Sequence, residues 1–478
     1  MDALFDLLSA PLVVLVPLVY VLGALSALDA LVHTRTPQGA TAWIVALPLY
    51  WVFGRARFDG YLEDLRAFDE QVEQALAAER EPIAPGLRLH PDDASDERTR
   101  TERAAFERLG TTPFLRGNDA RLLIDGEATF DALFAEIDAA RDYVLAQFYI
   151  VRDDALGRAF RDRLMAAAAR GVRVYLLYDD VGSHSLPQSY AHSLVRGGVH
   201  VRSFSGARRL LGRFRLNFRN HRKIVVVDGR VALTGGINIG DEYVGRHDTL
   251  TPWRDTHLRV EGPAAVGFQF SFARDWFYSS QEALDLDWEM HAHATSDQPT
   301  LIAATGPSDD IETCSLLHAH AIESAERRVW IATPYFVPDG RVLGALQTAA
   351  LRGVDVRILV PRMTDSRLFR YVPFAYLTDV AQTGAQVHLY EDGFAHQKVL
   401  LVDDDYALVG SANIDNRSLR LNFEVTCVVR DDAFCAQTAA MLGRDFARST
   451  LLDEADLAGR SLFFRLAVHA TRLLAPVL

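Results

Sequence analysis

The chain has 478 residues, of which 49% are hydrophobic and 24% are charged. This composition is that of a folded protein with room for two or three domains, and it excludes extensive disorder. The formal net charge of −13 argues against a general nucleic-acid binder, because such a protein needs a strongly basic surface.

The N-terminal region, residues 1–57, is predicted to hold membrane segments. Residues 7–28 carry no charge and are long enough to cross about 30 Å of hydrocarbon. Residues 40–53 are shorter and rich in Trp and Tyr, which suits a second, tilted span or an interfacial segment. A signal peptide is the alternative for the first segment, but acidic residues precede it where a signal peptide is basic. Arginines after the second segment predict that the rest of the chain is cytoplasmic.

Residues 58–117 are polar and charge-dense, which predicts a linker with helical pieces and no strand. The chain then repeats itself. "AAAARGVRVYLLYDD" and "NHRKIVVVDGRVALTGGIN" return about 180 residues later as "TAALRGVDVRILVPR" and "AHQKVLLVDDDYALVGSAN". Each copy alternates β-branched apolar runs with helical segments, which predicts two similar α/β domains at 118–295 and 296–456. Such copies are expected to pack around a pseudo-two-fold axis that brings equivalent sites face to face.

Lysine is almost absent from this sequence, since only two lysines occur among its 50 basic residues. Each lysine follows a histidine by two positions and precedes an aspartate by five, so the pattern H-x-K-x4-D occurs twice. The residues of the two motifs are His221, Lys223, Asp228, His396, Lys398 and Asp403. Lysines kept only at duplicated positions predict that both motifs carry chemistry.

The predicted strands place other polar groups near these histidines. On a strand, a histidine and a lysine two residues apart share one face. A two-residue turn at Asp228 and Gly229 would place Gly236 opposite His221 and Asn238 diagonally beside it. The same count in the second copy selects Ser411, opposite His396, and Asn413.

A cluster of His, Lys and Asn nitrogens suits a phosphate, and the compact ammonium of lysine is not equivalent to a wide guanidinium. Two facing clusters would hold a phosphodiester and neutralise charge on its oxygens. One imidazole would attack phosphorus and form a phosphohistidine, while the other protonates the departing oxygen. The two lysines and two histidines supply the positive field, so we expect a reaction that requires no cofactor and no metal. Which histidine is the nucleophile stays open.

The motif aspartates are harder to place at such a site. Five strand residues span about 16 Å, so Asp228 and Asp403 reach the phosphate only if the chain folds back. The carboxylate that orients each histidine is expected instead from Glu424 or Asp255, which occupy matching places in "RLNFEVTCVV" and "PWRDTHLRV".

The doubled motif with its trailing G-[GS]-x-N resembles the phospholipase D superfamily. The stretch "RNHRKIVVVDGRVALTGGINIGDEY", together with "WRDTH", resembles the bacterial cardiolipin synthases of that superfamily. The resemblance implies that the His, Lys and Asp of both motifs are catalytic, and we add a set of candidate substrate-binding or orienting residues: Asn238, Ser411, Asn413, Glu424 and Asp255. Gly236 stands where the superfamily has serine, so the two halves are not expected to be chemically equivalent.

The resemblance also implies a reaction and a location. One phosphatidylglycerol would give its phosphatidyl group to a histidine and release glycerol, and a second phosphatidylglycerol would collect that group to form cardiolipin. The location would be the bacterial plasma (inner) membrane. Two alternatives stay open: a membrane-bound phospholipase D that uses water as acceptor, and a non-catalytic protein that binds anionic lipid. A nuclease is opposed by the acidic charge and the apolar segments.

Two further segments suit an anionic phospholipid membrane. The run from Arg208 to Lys223 is rich in arginine and would attract anionic headgroups, although a solvated loop is equally consistent. The C-terminal segment, residues 457–478, mixes apolar residues with arginines, as an interfacial helix does, although packing on the second domain is equally consistent. Pairs of histidines in H-x-H spacing, at 291 and 293 and at 318 and 320, are predicted to be ordinary histidines because no matching carboxylate pattern accompanies them.

Overall fold

The computed structural model describes residues 86–90, 96–204, 219–247, 249–293, 295–364 and 371–452, together with Glu70, Asp93, Ser461, Phe464 and Val468. The predicted segments at 7–28 and 40–53, and most of 457–478, lie outside the described residues. Within the described part, no helix combines the length and the apolar character needed to cross a membrane.

The first half of the chain forms one mixed sheet covered by helices. Its strands are β1 (Asp119–Ile124), β2 (Tyr143–Phe148), β3 (Arg173–Tyr178), β4 (His200–Ser203), β5 (Ile224–Val227), β6 (Val231–Gly235), β7 (Trp253–Arg254) and β8 (Thr256–Glu261). The α-helices between Glu97 and Ser280 are α1 (Glu97–Leu109), α2 (Asp125–Ala139), α3 (Ala155–Ala169), α4 (Gln188–Arg196) and α5 (Ala265–Ser280). The sheet order is β1-β8-β6-β5-β2-β3-β4, and only β2, β3 and β4 run parallel to one another.

The second half repeats this arrangement. Its strands are β9 (Thr300–Thr305), β10 (Arg328–Ala332), β11 (Phe336–Val337), β12 (Asp355–Pro361), β13 (Gln386–Tyr390), β14 (Phe394–Ala395), β15 (Val399–Val402), β16 (Tyr406–Gly410), β17 (Ile414–Asp415), β18 (Glu424–Val429) and β19 (Ser449–Leu451). Its helices are α6 (Thr313–Ser324), α7 (Gly340–Leu351), α8 (Val372–Ala381), α9 (Asn416–Arg420) and α10 (Asp432–Phe446). The order β9-β18-β16-β15-β10-β12-β13 matches the first sheet strand for strand, with β19 added at one edge. The predicted α/β class and the repeated fold are confirmed.

The two motif strands lie near the middle of their sheets. β5 reads Ile-Val-Val-Val, β15 reads Val-Leu-Leu-Val, and every one of these residues is buried. Continuous apolar strands of this kind are typical of sheets covered on both faces, and β-branched side chains favour the extended backbone. The end of each strand where the histidine lies is therefore held by a rigid, buried element.

The predicted hairpin register is wrong by one residue. In the first half Val227 pairs with Val231 and Ile224 with Thr234, so three residues, not two, separate the paired positions. Asp228 adopts a left-handed conformation (φ 51°) at the start of this connection. The predicted register of the second half is wrong in the same way, because three residues separate the paired Val402 and Tyr406. Gly236 and Ser411 consequently do not lie opposite the histidines.

The end of the predicted linker is part of the folded core. Helical content was expected there, but α1 is also packed against the second half, where the ring of Phe106 is fully buried. Its ring centroid lies 4.9 Å from that of Tyr406 and 4.7 Å from that of His320. Leu115 then forms an isolated β-bridge with Thr300. The sequence did not predict this packing, because apolar residues are sparse in the segment and their partners are distant in the chain.

Short backbone pairings join the two halves close to both histidines. β7 of the first half pairs in parallel with β14 of the second, so Arg254 lies beside Ala395. An isolated parallel bridge joins Asn220 to Phe423 in the reciprocal manner. All described residues belong to one compact unit. Each histidine is thus anchored on backbone from the opposite half.

The packing of α1 predicts that Phe106→Ala lowers the free energy of unfolding by about 3–5 kcal/mol, since the substitution removes a fully buried ring. A denaturant titration of the purified protein measures this. The control is Arg100→Ala on the exposed face of the same helix, which should change stability by less than about 0.5 kcal/mol. Equal, small effects from both variants would show that this segment is only a linker.

Candidate active site

His221 lies directly before the first motif strand and is positioned by the second half. Its backbone N–H donates to the carbonyl oxygen of Phe423 at 2.9 Å. Its imidazole Nδ1 lies 3.0 Å from both carboxylate oxygens of Glu424, which begins β18. Glu424 is fully buried, so this hydrogen bond is shielded from water.

His396 mirrors this arrangement with the roles of the halves exchanged. Its backbone N–H donates to the carbonyl oxygen of Arg254 at 2.7 Å. Its Nδ1 lies 2.8 Å from Oδ2 of Asp255, which is fully buried between β7 and β8. The two carboxylates expected from the sequence are therefore the ones that contact the histidines, and each crosses to the other half. That crossing was not predicted.

The electrostatics favour a neutral imidazole at His221 and ionised carboxylates at Glu424 and Asp255. Burial lowers the pKa of His221 to about 4. Burial alone would raise the pKa of Glu424, but His221 and Lys223 outweigh it and lower that pKa below its usual value. The pKa of Asp255 is lowered in the same way, because His396 outweighs the effect of burial. A carboxylate on Nδ1 fixes the imidazole tautomer and leaves Nε2 for chemistry.

Both lysines are buried beside their own histidines. Nζ of Lys223 donates to the carbonyl oxygen of His221 at 2.6 Å, and Nζ of Lys398 donates to that of His396 at 2.6 Å. The ammonium of Lys223 also lies 5.5 Å from the ring centroid of Tyr149. Burial lowers the pKa of Lys223 to about 7. An anion placed next to a buried ammonium favours its charged form and raises its pKa.

The predicted asparagines and serine take different places. Ser411 donates to Oε2 of Glu424 at 2.6 Å, so it contacts the same carboxylate as His221. Asn238 accepts from the backbone N–H of Ile150 and Asn413 donates to Asp415, and both asparagines also line the cleft.

Gly236 occupies the position that corresponds to Ser411, and its lack of a side chain has a local reason. A Cβ added to Gly236 would lie 2.1 Å from Oδ1 of Asp255. Glycine therefore leaves room for the shorter carboxylate of the first half, whereas the longer Glu424 accepts a hydroxyl from Ser411. The expected inequivalence of the halves has this steric basis.

One cleft connects the two histidines. Its volume is about 710 Å³, and its lining contains His221, His396, Asn238, Asn413, Tyr149, Tyr335, Arg219, Arg417 and Trp253, among other residues. The cleft is large enough for a phosphodiester and parts of two headgroups. The imidazoles of both motifs thus open into a single space.

The motif aspartates do not belong to this cleft. The carboxylate of Asp228 accepts the backbone N–H groups of Arg141, Asp142 and Tyr143 at 2.8–3.0 Å. Asp403 does the same for residues 326–328, each at 2.8 Å. Both carboxylates fix the start of a neighbouring strand at the far end of the motif strand. The catalytic role implied by the resemblance is corrected here to a structural one, because the chain does not fold back.

Two buried ion pairs behind the site escaped the sequence analysis. Arg222, between the first histidine and lysine, pairs with Asp275 of α5 at 2.6 Å. Arg254, next to Asp255, pairs with Asp445 of α10 at 2.7 Å. A signal was present, since both aspartates lie in a repeated Arg-Asp-aromatic triplet, "RDW" and "RDF". These pairs hold in place the backbone that carries the histidine and the carboxylate.

The described residues offer one cluster with metal-ligand geometry, which lies apart from the cleft lining. Asp287, Glu289 and His291 place ligand atoms within 4.8 Å of one another, and the two carboxylates are exposed. His318 instead bonds to the carbonyl oxygen of Cys314 and His320 to that of Glu102. The cleft itself is lined by the nitrogen groups of His221, His396, Asn238 and Asn413, among other residues.

Comparison with known proteins identifies the family. The family described as "Cardiolipin synthase, PLD-like domain" matches residues 133–259 and 319–446, one match in each half. Proteins named Cardiolipin synthase A from Pseudomonas putida (strain GB-1) and Pseudomonas aeruginosa (strain LESB58) are each 43% identical to this chain. The alignments cover 97% and 96% of this chain and 98% and 95% of the relatives. The chain belongs to the cardiolipin synthase family. The resemblance inferred from the motifs is confirmed.

Solved structures share the fold of this cardiolipin synthase family member at low sequence identity. Phosphatidylserine synthase from Haemophilus influenzae aligns with a TM-score of 0.58 and 15% identity, over 79% of this chain and 100% of that chain. Polyphosphate kinase from Porphyromonas gingivalis aligns with a TM-score of 0.50 and 14% identity, over 70% of this chain and 49% of its own. These likenesses concern the fold alone.

The different positions of Glu424 and Asp228 predict opposite phenotypes. Glu424→Gln should lower kcat by about a hundredfold or more, because His221 loses its orienting carboxylate. Asp228→Asn should leave kcat within about threefold but lower the free energy of unfolding by about 1–3 kcal/mol, since an NH2 group replaces one of the two oxygens that accept the backbone N–H groups of Arg141, Asp142 and Tyr143. Steady-state kinetics and denaturant titration on both variants test this. A catalytic Asp228 would appear as a loss of kcat at unchanged stability.

The lowered pKa of Lys223 predicts a basic limb in the pH profile. We expect the charged ammonium of Lys223 to neutralise the substrate phosphate, so kcat/KM should fall as pH rises above about 7. Lys223→Arg should abolish that limb, because guanidinium stays charged, and should also cost about 2 kcal/mol of transition-state stabilisation from its altered shape. Measuring kcat/KM against pH for both proteins decides the matter. A basic limb unchanged in the arginine variant would contradict the assignment.

Proposed function

We propose that this protein is a cardiolipin synthase, which transfers a phosphatidyl group from one phosphatidylglycerol to the hydroxyl of another and releases glycerol. The observation that carries the proposal is the pair of imidazoles in one cleft, each held at Nδ1 by a carboxylate from the opposite half. The family supports the same reaction.

The first step breaks the bond between phosphorus and the glycerol oxygen. Nε2 of one neutral imidazole attacks phosphorus and forms a P–N bond, while the second imidazole, protonated, gives its proton to the departing glycerol. In the second step the hydroxyl of another phosphatidylglycerol gives a proton to that second imidazole and attacks phosphorus. The P–N bond breaks and cardiolipin leaves, so both histidines return to their starting states.

The surrounding residues have separate tasks in this scheme. Glu424 and Asp255 hold the imidazoles in the correct tautomer and stabilise the imidazolium form. Lys223 and Lys398 offset the negative charge that develops on the non-bridging phosphoryl oxygens. Asn238 and Asn413 are proposed to bind substrate at the cleft wall, and Ser411 to position Glu424. These groups supply the required positive field themselves, so we expect activity without a divalent metal.

The lipid substrate sets the proposed location. Residues 7–28, and 40–53 as a second span or interfacial segment, would anchor the chain in the bacterial plasma (inner) membrane with both α/β halves in the cytoplasm. The reciprocal contacts of His221 and His396 support a pseudo-two-fold relation between domains at 118–295 and 296–456. The anionic membrane would thus be both the support and the source of phosphatidylglycerol.

A phospholipase D that transfers the phosphatidyl group to water would use the same residues. The 43% identity to proteins named Cardiolipin synthase A favours a lipid acceptor over water. A protein that only binds lipid has no need of two oriented imidazoles and two buried lysines.

Product analysis tests the proposal. Purified full-length protein given phosphatidylglycerol in mixed micelles with EDTA should form cardiolipin and glycerol in equal amounts, measured by mass spectrometry. His221→Ala and His396→Ala should each lower the rate at least about a thousandfold, because either loss stops the relay. His192→Ala, on the exposed face of α4, is the matched control and should keep normal activity.

Other products would redirect the assignment. Phosphatidic acid without cardiolipin would mean that water is the acceptor. Product formation that survives both His221→Ala and His396→Ala would contradict the proposed site. A reaction abolished by EDTA and restored by a divalent metal would contradict the metal-free scheme.

A further inference from the structure

The two walls of the cleft differ in chemistry. Around His396 the wall is aromatic: the ring centroids of Trp253 and Tyr335, which line the cleft, lie 5.0 and 6.4 Å from the imidazole. Around His221 one aromatic ring, that of Tyr149, lies at 4.9 Å. Next to it the wall is cationic rather than aromatic.

Two arginines form this cationic wall. Nη1 of Arg219 donates to the hydroxyl oxygen of Tyr149 at 3.3 Å, and its backbone carbonyl accepts the N–H of Phe423. Arg417 lines the same cleft from the short helix α9. The strand pairing that positions His221 therefore also positions Arg219, so this charge and the imidazole keep a fixed relation.

The two guanidinium groups are close enough to influence each other. Burial and the charge of Arg219 lower the pKa of Arg417 to about 10, so Arg417 remains charged at neutral pH. The charge of Asp415, which also lines the cleft, acts in the opposite direction and raises the pKa of Arg417. Like charges held together in a partly buried wall are relieved by an anion, and arginine forks suit phosphate oxygens.

We propose that Arg219 and Arg417 bind the second phosphate of the reaction, that of the acceptor phosphatidylglycerol. This inference rests on the proposed function and specifies its acceptor. The attacking hydroxyl and the acceptor's own phosphodiester sit on one glycerol unit, separated by three carbons. A cationic subsite beside the reacting imidazole therefore binds the acceptor's phosphate, which water and neutral alcohols lack. The subsite thus favours an anionic lipid alcohol as acceptor.

Competition between acceptors tests the subsite. The protein is given phosphatidylglycerol as donor in micelles of fixed composition, with ethanol present, and cardiolipin and phosphatidylethanol are quantified by mass spectrometry. Both products form from the same phosphohistidine intermediate, and they differ only in the alcohol that accepts the phosphatidyl group. Arg219→Gln and Arg417→Gln should each lower the ratio of cardiolipin to phosphatidylethanol at least about tenfold, equivalent to about 1.4 kcal/mol.

The matched control is Arg420→Gln, three residues along the same helix, where Arg420 pairs with Glu312 at 2.6 Å and does not line the cleft. Its ratio should equal that of the unmodified protein. A ratio unchanged in the Arg219 and Arg417 variants, or an equal loss of both products in them, would overturn the subsite.

A measurement on the unmodified protein guards against variants that fold poorly. Raising NaCl from about 0.05 M to about 0.5 M should lower the cardiolipin to phosphatidylethanol ratio, because salt screens a charged subsite and leaves a neutral alcohol unaffected. A salt-independent ratio would contradict the proposal.

Adding inorganic phosphate at constant ionic strength should lower the same ratio, because free phosphate competes for the arginines. Failure of the function itself is distinct, since the unmodified protein would then form no cardiolipin at all.

Discussion

The hydrogen bonds from His221 to Glu424 and from His396 to Asp255 are the constraint on which the rest of the molecule depends. Each bond crosses between the halves, and backbone pairing beside each histidine supports the crossing. Neither half alone holds an oriented imidazole. Packing of the two similar halves against each other therefore brings each imidazole together with its carboxylate.

Keeping so many charges away from water requires a matching set of partners. Lys223 is fully buried, and the ion pairs of Arg222 with Asp275 and of Arg254 with Asp445 are buried behind it. Burying charges is costly, and such pairs are tolerated when hydrogen bonds satisfy them fully. These ion pairs fix the position of the backbone on either side of the reacting groups. The positive charge of the site is thus available without rearrangement when a phosphate arrives.

Much of this could be read from the sequence. Two lysines at duplicated positions identified the motifs, and matching places in the two copies identified Glu424 and Asp255. The hairpin register could not be predicted, because it depends on the left-handed Asp228 and a three-residue connection rather than on the pattern of apolar residues. The crossing of the carboxylates and the burial of Phe106 arise from contacts between segments far apart in the chain, and residue periodicity carries no information about those.

The crossing is tested most directly by NMR of 15N-histidine-labelled protein, with the two resonances assigned from His221→Ala and His396→Ala. We predict that Glu424→Gln removes the downfield Nδ1–H signal of His221 and leaves that of His396 in place, whereas Asp255→Asn does the reverse. If each carboxylate variant instead altered the histidine of its own half, the crossed arrangement, and the catalytic scheme built on it, would be contradicted.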